Sequence, residues 1–352
     1  MGVNDAGDTS GLELDRPLRA ALVRNAMAPS WLLLGVIAVA FVAGVTVSLR
    51  VQYGVLLASA LVFGVPHGAL DHLVPGRLRR GGTDRRSIAA VVGLYAVLGT
   101  GYALIWFVAP VAAFASFVLL TVIHWGQGDL HALLALADVD HLPTRRHRAL
   151  TAAVRGGLPM LVPLVAFPER YRAVATDVVG LFASEPTGLA PVFAPGTRLA
   201  VGLGVAAVAV ATLSLGFFRA CSRRGWAIDA AETGLLAGYF AVVPPVLAIG
   251  LYFTVWHSLR HVARLLADDA EAAAALRDGR IRPAVASFAR DAAPATIGAL
   301  ALFAPLLWLV PRSPGDLAAY AGLYLVLIAT LTLPHVAVVS WMDREQDVWH
   351  PS

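Results

Sequence analysis

The sequence contains no lysine and a single cysteine, Cys221. One cysteine excludes an intrachain disulfide and a thiolate metal cluster. All 27 basic side chains are arginine, a bias of composition with no functional reading attached. Charge of either sign is scarce: 14% of the 352 residues are charged, for a formal net charge of +4. So small and uneven a balance argues against a basic nucleic-acid-binding surface. The absence of an HExxH pair disfavours an intramembrane zinc protease. No hydrophilic domain boundary or repeat period is visible. The first thirty residues are polar and mixed in charge, and no small-residue cleavage site follows the first apolar run, so no cleavable signal peptide is expected.

What fills the chain is apolar: 58% hydrophobic residues, with a mean hydropathy of +0.71, far above a soluble domain. The expected fold is all-α, a polytopic transmembrane helical bundle in the cell membrane. Runs near the twenty residues needed to cross a bilayer fall at 31–48, 51–74, 88–108, 110–136, 150–167, 198–218, 230–247, 248–266, 294–311 and 317–341. That gives about ten spans, with eight or nine as alternatives. The fifth run holds Arg155, Gly156, Gly157, Pro159 and Pro163 and can be read as a broken or re-entrant helix. The seventh and eighth can be read as one helix kinked at Pro244–Pro245. Residues 268–293 read as an amphipathic surface helix, and 168–197 as the one sizeable exterior loop. With ten spans, the arginine clusters at 77–86, 145–148, 219–224 and 260–290 all fall on one side with both termini, the cytoplasmic side by the positive-inside rule. The expected organisation is a polar extension over 1–30, one transmembrane catalytic domain over 31–341 and a short tail over 342–352.

Seven of the ten histidines sit in or at the ends of these runs: His67, His72, His124, His131, His257, His261 and His335. An ionisable ring in hydrocarbon is costly unless it faces the protein interior and finds a partner. Counting about 1.5 Å of rise per residue from the exterior edges places His67, His124, His261 and His335 at similar depth in the cytoplasmic half. His257 and His261, four residues apart, share one helix face and can reach one ion, with His67 and His124 supplying further nitrogens from two other helices. Neutral imidazoles without cysteine suit Fe(II), Cu or Zn. Asp71 and Asp129 can orient ligand rings by accepting the second ring N–H. Pro66 and Pro334, each directly before a histidine, can open the helix locally. His335 is held as a residue supporting the site. His72 and His131 read as interfacial or network residues, and His141, His147 and His350 as solvent-facing.

Pro66-His67-Gly68-Ala69 with Asp71, His124-Trp125-Gly126 with Asp129, Trp256-His257-Ser258 with Arg260-His261, and Pro334-His335 together resemble the Brp/Blh family of membrane β-carotene 15,15′-dioxygenases, in order over roughly residues 51–341. The resemblance implies a nonheme Fe(2+) enzyme that uses dioxygen to cleave the central double bond of β-carotene, giving two all-trans retinal molecules. The family's proposed iron ligands match His67, His124, His257 and His261. A carotenoid dissolves in the lipid bilayer, so an active site among the spans is where the substrate already is. Trp125 and Trp256, beside the proposed ligands, and Tyr252 and Phe253, one turn before His257, are candidate walls for the polyene. A retinal-binding rhodopsin is a reasonable expectation as a functional partner, and nucleic acid is not.

Two other classes compete. A desaturase-like or hydroxylase-like oxidase, or a bis-histidine haem protein, also uses membrane histidines. Desaturase-type diiron sites need several HxxxH or HxxHH boxes, and only one is present. A transporter would favour acidic residues within spans, which are sparse here.

Overall fold

The computed structural model describes residues 14–79, 84–183 and 188–350. Residues 1–13 of the expected extension, Arg80 of the first arginine cluster and the last two residues lie outside the described residues. The described chain is helical, without strands. In order, the helices are α1 (Arg16–Val42), α2 (Leu49–Gly64), α3 (Val74–Leu78), α4 (Arg85–Val108), α5 (Pro110–Leu136), α6 (Arg145–Ala166), α7 (Pro168–Gly180), α8 (Pro195–Arg219), α9 (Arg223–Val242), α10 (245–267), α11 (Ala270–Arg277), α12 (Ile281–Leu309) and α13 (Leu317–Glu345). Their starts are written locally. Asp15, Asp84, Asp269 and Asp316 each accept the backbone N–H three residues on, at 2.9, 2.6, 2.9 and 2.9 Å, satisfying donors a helix leaves unpaired. Pro110, Pro168, Pro195 and Pro245 open α5, α7, α8 and α10, where a missing N–H costs nothing.

Among the described residues, seven helices (α1, α4, α5, α6, α8, α12 and α13) are long and apolar enough to cross a membrane, and α2 is a shorter apolar helix. The bundle is inverted relative to a soluble protein. Trp308 and Val108 are each 84% exposed, whereas Arg155 and Asp129 are wholly buried. Such a surface is stable against lipid and not against water.

Several sequence expectations are corrected. The run 51–74 is not one helix: α2 ends at Gly64, because Pro66 has no N–H to continue it, and residues 65–73 form turns that carry His67, Asp71 and His72. The run 150–167 is not a broken helix: α6 is continuous with Pro159 and Pro163 inside it. Its polar and glycine content serves packing. A Cβ on Gly156 would overlap the Val122 carbonyl, and one on Gly126 the Ala152 carbonyl, so α5 and α6 meet backbone to backbone at a small-residue crossing. Residues 268–293 are divided between α11 and the first half of α12, which runs through Pro294 without a break. The stretch 168–197 contains α7, whose Ala175, Val178 and Val179 are buried. α1 begins inside the expected polar extension, and α13 continues past residue 341 into the expected tail. Pro244–Pro245 does separate α9 from α10.

Two helices depart from α geometry beside the histidines. The last turn of α2, Ala60–Gly64, and the middle of α10, Phe253–Ser258, are π-helical. Each inserts an extra residue per turn and re-aims the side chains beyond it, a device frequent at functional sites. Here they immediately precede His67 and carry His257.

Candidate metal centre

Five buried histidines from four segments converge: His67 in the turn after α2, His124 on α5, His257 and His261 on α10, and His335 on α13. Ring centroids of His67 lie 5.4 Å from His257, 5.5 Å from His261 and 5.0 Å from His335. Those of His124 lie 4.6 Å from His257 and 4.7 Å from His335. The ligand-capable atoms of His67, His124 and His335 all lie within 4.8 Å of one another, as do those of Asp71, His261 and His335.

The hydrogen bonds decide which nitrogens are available. His67 Nδ1 donates to the Gly64 carbonyl at 2.5 Å, and His335 Nδ1 to Asp71 Oδ2 at 2.8 Å. With those protons placed, Nε2 of both rings is a lone-pair donor, and neither has a hydrogen-bond partner among the described residues. His261 Nε2 is likewise unpartnered. His124 Nε2 and His257 Nε2 face each other at 3.0 Å. With metal–nitrogen bonds of roughly 2.1 Å, adjacent ligands on one ion come about that close. Buried ring nitrogens without partners are costly in a dry interior, and one cation would satisfy them together. The donor set is all imidazole nitrogen with one carboxylate nearby, which fits Fe(II), Zn or Cu.

The four histidines expected as ligands are thus brought together. His335, expected in a supporting role, is as central as they are. Its sequence signal was a lone histidine after proline, which says nothing about the ring's neighbours. Asp71, read in the sequence as a residue that can orient a ligand ring, accepts the Nδ1–H of His335, and Tyr95 on α4 donates to the same carboxylate oxygen at 2.6 Å.

Asp129 orients no ligand histidine. It accepts Trp256 Nε1 at 2.9 Å and faces Arg260 at 3.5 Å and Arg155 at 3.6 Å. It belongs to a buried ionic cluster that no sequence motif announced. Arg155 pairs with Asp229 and Glu232 at 2.9 Å each, Arg260 with Glu232 at 2.5 Å, and His141 with Asp229 at 3.0 Å. The Arg260 guanidinium lies 3.8 Å from the Trp256 ring centroid. This cluster ties α10 to α5, α6 and α9 and so fixes the face that carries His257 and His261. Arg148, Arg260 and Arg264, read in the sequence as topological determinants, are turned inward and buried. His141 and His147, read as solvent-facing, are buried too, His147 bonding the Thr212 carbonyl at 3.0 Å. Polar partners pull these groups in, most of them distant in sequence, such as Asp229 for His141, Asp343 for Arg264 and the Val348 carbonyl for Arg148, and no local pattern marks them.

His67, His124 and His335 also line a cavity of about 620 Å³ whose other walls are almost wholly apolar, drawn from α2, α4, α5, α6, α7, α10, α12 and α13. Its two threonine hydroxyls are turned back onto the backbone, Thr121 to the Phe117 carbonyl at 2.8 Å and Thr332 to the Ile328 carbonyl at 2.7 Å. Of the candidate walls, Trp125 and Phe253 line the cavity. Tyr252 and Trp256 are buried behind them, Tyr252 with its ring centroid 4.8 Å from that of Trp125.

A family model described as beta-carotene 15,15′-dioxygenase matches residues 58–343, which includes all five histidines. The probable beta-carotene 15,15′-dioxygenase Blh of Halobacterium salinarum is 52% identical over 94% of this chain and 95% of its own length. The probable beta-carotene 15,15′-dioxygenase Brp of the same species is 35% identical over 89% of each chain. A beta-carotene 15,15′-dioxygenase from an uncultured marine bacterium is 24% identical over 58% of this chain and 66% of its own. No solved structure matches. A match of that extent, with the histidine motifs inside it, makes this chain a member of the beta-carotene 15,15′-dioxygenase family.

Proposed function

We propose that the protein cleaves the central 15,15′ double bond of β-carotene with dioxygen, at an Fe(II) held by His67, His124, His257 and His261, with His335 completing the set of converging rings. The observation that carries this reading is the convergence of five buried imidazoles, three of which (His67, His124 and His335) line a largely apolar cavity, in a chain of this family. The reaction balances: the double bond and dioxygen become two aldehydes, one oxygen atom on each retinal. A bound Fe(II) would supply the redox chemistry that activates dioxygen there.

The chain's own residues do the rest. Apolar burial binds the polyene, because most of the lining surface is hydrocarbon. Trp125 and Phe253 form one wall beside the histidines, their ring centroids 5.7 and 6.2 Å from that of His257. From His124 to Phe114 along α5 the lined wall extends about 15 Å at helical rise, enough to hold an extended half of the substrate in one direction. Asp71 and Tyr95 hold the His335 tautomer with Nε2 toward the other rings. The largely apolar walls disfavour water beside the histidines.

Counting α2, α9 and α10 with the seven long apolar helices gives ten crossings, with both termini cytoplasmic in the cell membrane. The bundle from α1 to α13 acts as one catalytic domain. A retinal-binding rhodopsin is the expected consumer of the product. The test is expression in a bacterium that accumulates β-carotene: colour is lost and retinal appears by chromatography. Persisting colour with folded, iron-loaded protein present refutes the reading.

A further inference from the structure

We infer that the polyene enters and leaves sideways, from within the bilayer, through an opening between α4 and α12. Among the residues lining the cavity, only four are exposed at the protein surface: Val92 on α4, and Pro294, Gly298 and Leu302 on α12. The other walls are buried or half-buried, so the cavity communicates with the outside along this seam. All four residues are uncharged, and the outward faces around them carry Val97 and Ile297, 71% and 67% exposed. The opening therefore faces hydrocarbon, and the occupant it admits is an uncharged, membrane-dissolved chain.

The packing of α12 explains why the seam is open. Its first half is anchored, Asp291 to Arg77 at 3.0 Å and Phe288 against Phe63 with ring centroids 6.4 Å apart. Ala284, Phe288 and Ala292 are its buried residues, and after Ala292 no residue of the helix is buried. The second half packs on the bundle through half-buried residues only, Ala299, Leu300 and Phe303 on one side and Leu306 and Leu307 toward Leu323, while Pro294, Gly298 and Leu302 border the cavity and stay exposed. A Cβ built on Gly298 meets nothing within 4 Å, so the missing side chain is not required by packing and leaves the seam unobstructed.

This inference rests on the proposed substrate, and its test separates the two. Gly298→Phe and Val92→Phe each place a ring at the seam without touching the histidines. Ile297→Phe, on the lipid-facing side of the same helix, is the control. Two quantities are measured for each purified protein: the association rate of β-carotene from liposomes, read by quenching of intrinsic tryptophan fluorescence, and retinal formation. The expected result is severalfold slower association and lower kcat/KM for both seam variants, with iron content and melting temperature unchanged and the control like wild type. Wild-type association rates in both seam variants overturn the portal. Wild-type protein that binds β-carotene but forms no retinal refutes the activity instead, and the association rates still decide the portal. If Gly298→Phe does not fold, Val92→Phe carries the test, since that position is already 58% exposed.

Discussion

Arg260→Met is the perturbation whose cost the structure sets most clearly. The buried cluster holds three carboxylates (Asp129, Asp229 and Glu232) and two guanidiniums (Arg155 and Arg260), each side chain at most 3% exposed. Solvent screening is therefore negligible, and methionine fills most of the arginine stem's volume. The substitution leaves Arg155 as the one guanidinium against three acids, with only the His141 ring beside Asp229. Glu232 Oε1 then keeps only Trp31 Nε1 at 2.5 Å, and Asp129 keeps Trp256 and the longer 3.6 Å approach of Arg155. Removing one partner of a buried ion pair costs about 3–5 kcal/mol, which in a protein of this size lowers Tm by roughly 5–10 °C. Because α10 carries both Arg260 and two of the converging histidines, metal affinity falls in parallel. Adding Glu232→Gln to Arg260→Met removes the stranded charge and restores part of the loss, with a coupling on the order of 1–3 kcal/mol. The assay is thermal unfolding of the two single variants and the double variant in mild detergent, with metal titration of each. An Arg260→Met protein that melts within about 2 °C of wild type refutes the clamp, since that is well under the expected cost.

Other perturbations read out other parts of the account. Asp71→Asn keeps the shape but removes the charge that holds His335 Nδ1–H, so metal affinity falls roughly 10–100-fold by titration, while Tyr95→Phe, which removes a hydrogen bond to that carboxylate, has a smaller effect. Unchanged affinity in Asp71→Asn would detach His335 from the site. Gly156→Leu cannot be accommodated against the Val122 carbonyl; membrane-integrated yield collapses, whereas Gly204→Leu, where a Cβ meets nothing within 4 Å, is tolerated. Asp268, in the connection between α10 and α11, has its carboxyl pushed up to about 6 by burial, against the opposing pull of Arg264. Raised above its unfolded value of 3.8, it favours the folded state when protonated, so stability declines as pH rises through roughly 4 to 6. Melting curves across that range should lose this slope in Asp268→Asn, and an unaltered slope assigns it elsewhere.

Much of this molecule is legible in its composition and its histidines. Hydropathy locates the long spans because crossing a bilayer demands a minimum apolar length. His67, His124, His257 and His261 stand out because imidazoles in such segments need a reason. The remainder is tertiary. Hydropathy does not see that Pro66 ends α2, or that π turns at Ala60–Gly64 and Phe253–Ser258 re-aim the rings after them. His335 gains its place only when α13 lies against α5 and α10. Arg260 looks like a topological arginine, and Arg155 like a sign of a broken span, until α9 supplies Asp229 and Glu232. Asp129 sits in a histidine motif, five residues after His124, yet points to the ionic cluster, because α-helical spacing turns it away from the cavity.

The most direct test of the central claim is to measure iron content and retinal yield together, per β-carotene consumed, in purified wild-type protein and in His124→Ala and His257→Ala. Central cleavage at a histidine-held iron predicts two retinal molecules per β-carotene in the wild type, and coordinated loss of iron and activity in both variants while they still insert and melt cooperatively. Variants that keep full retinal formation, or a wild type whose products come from an off-centre double bond, would contradict it.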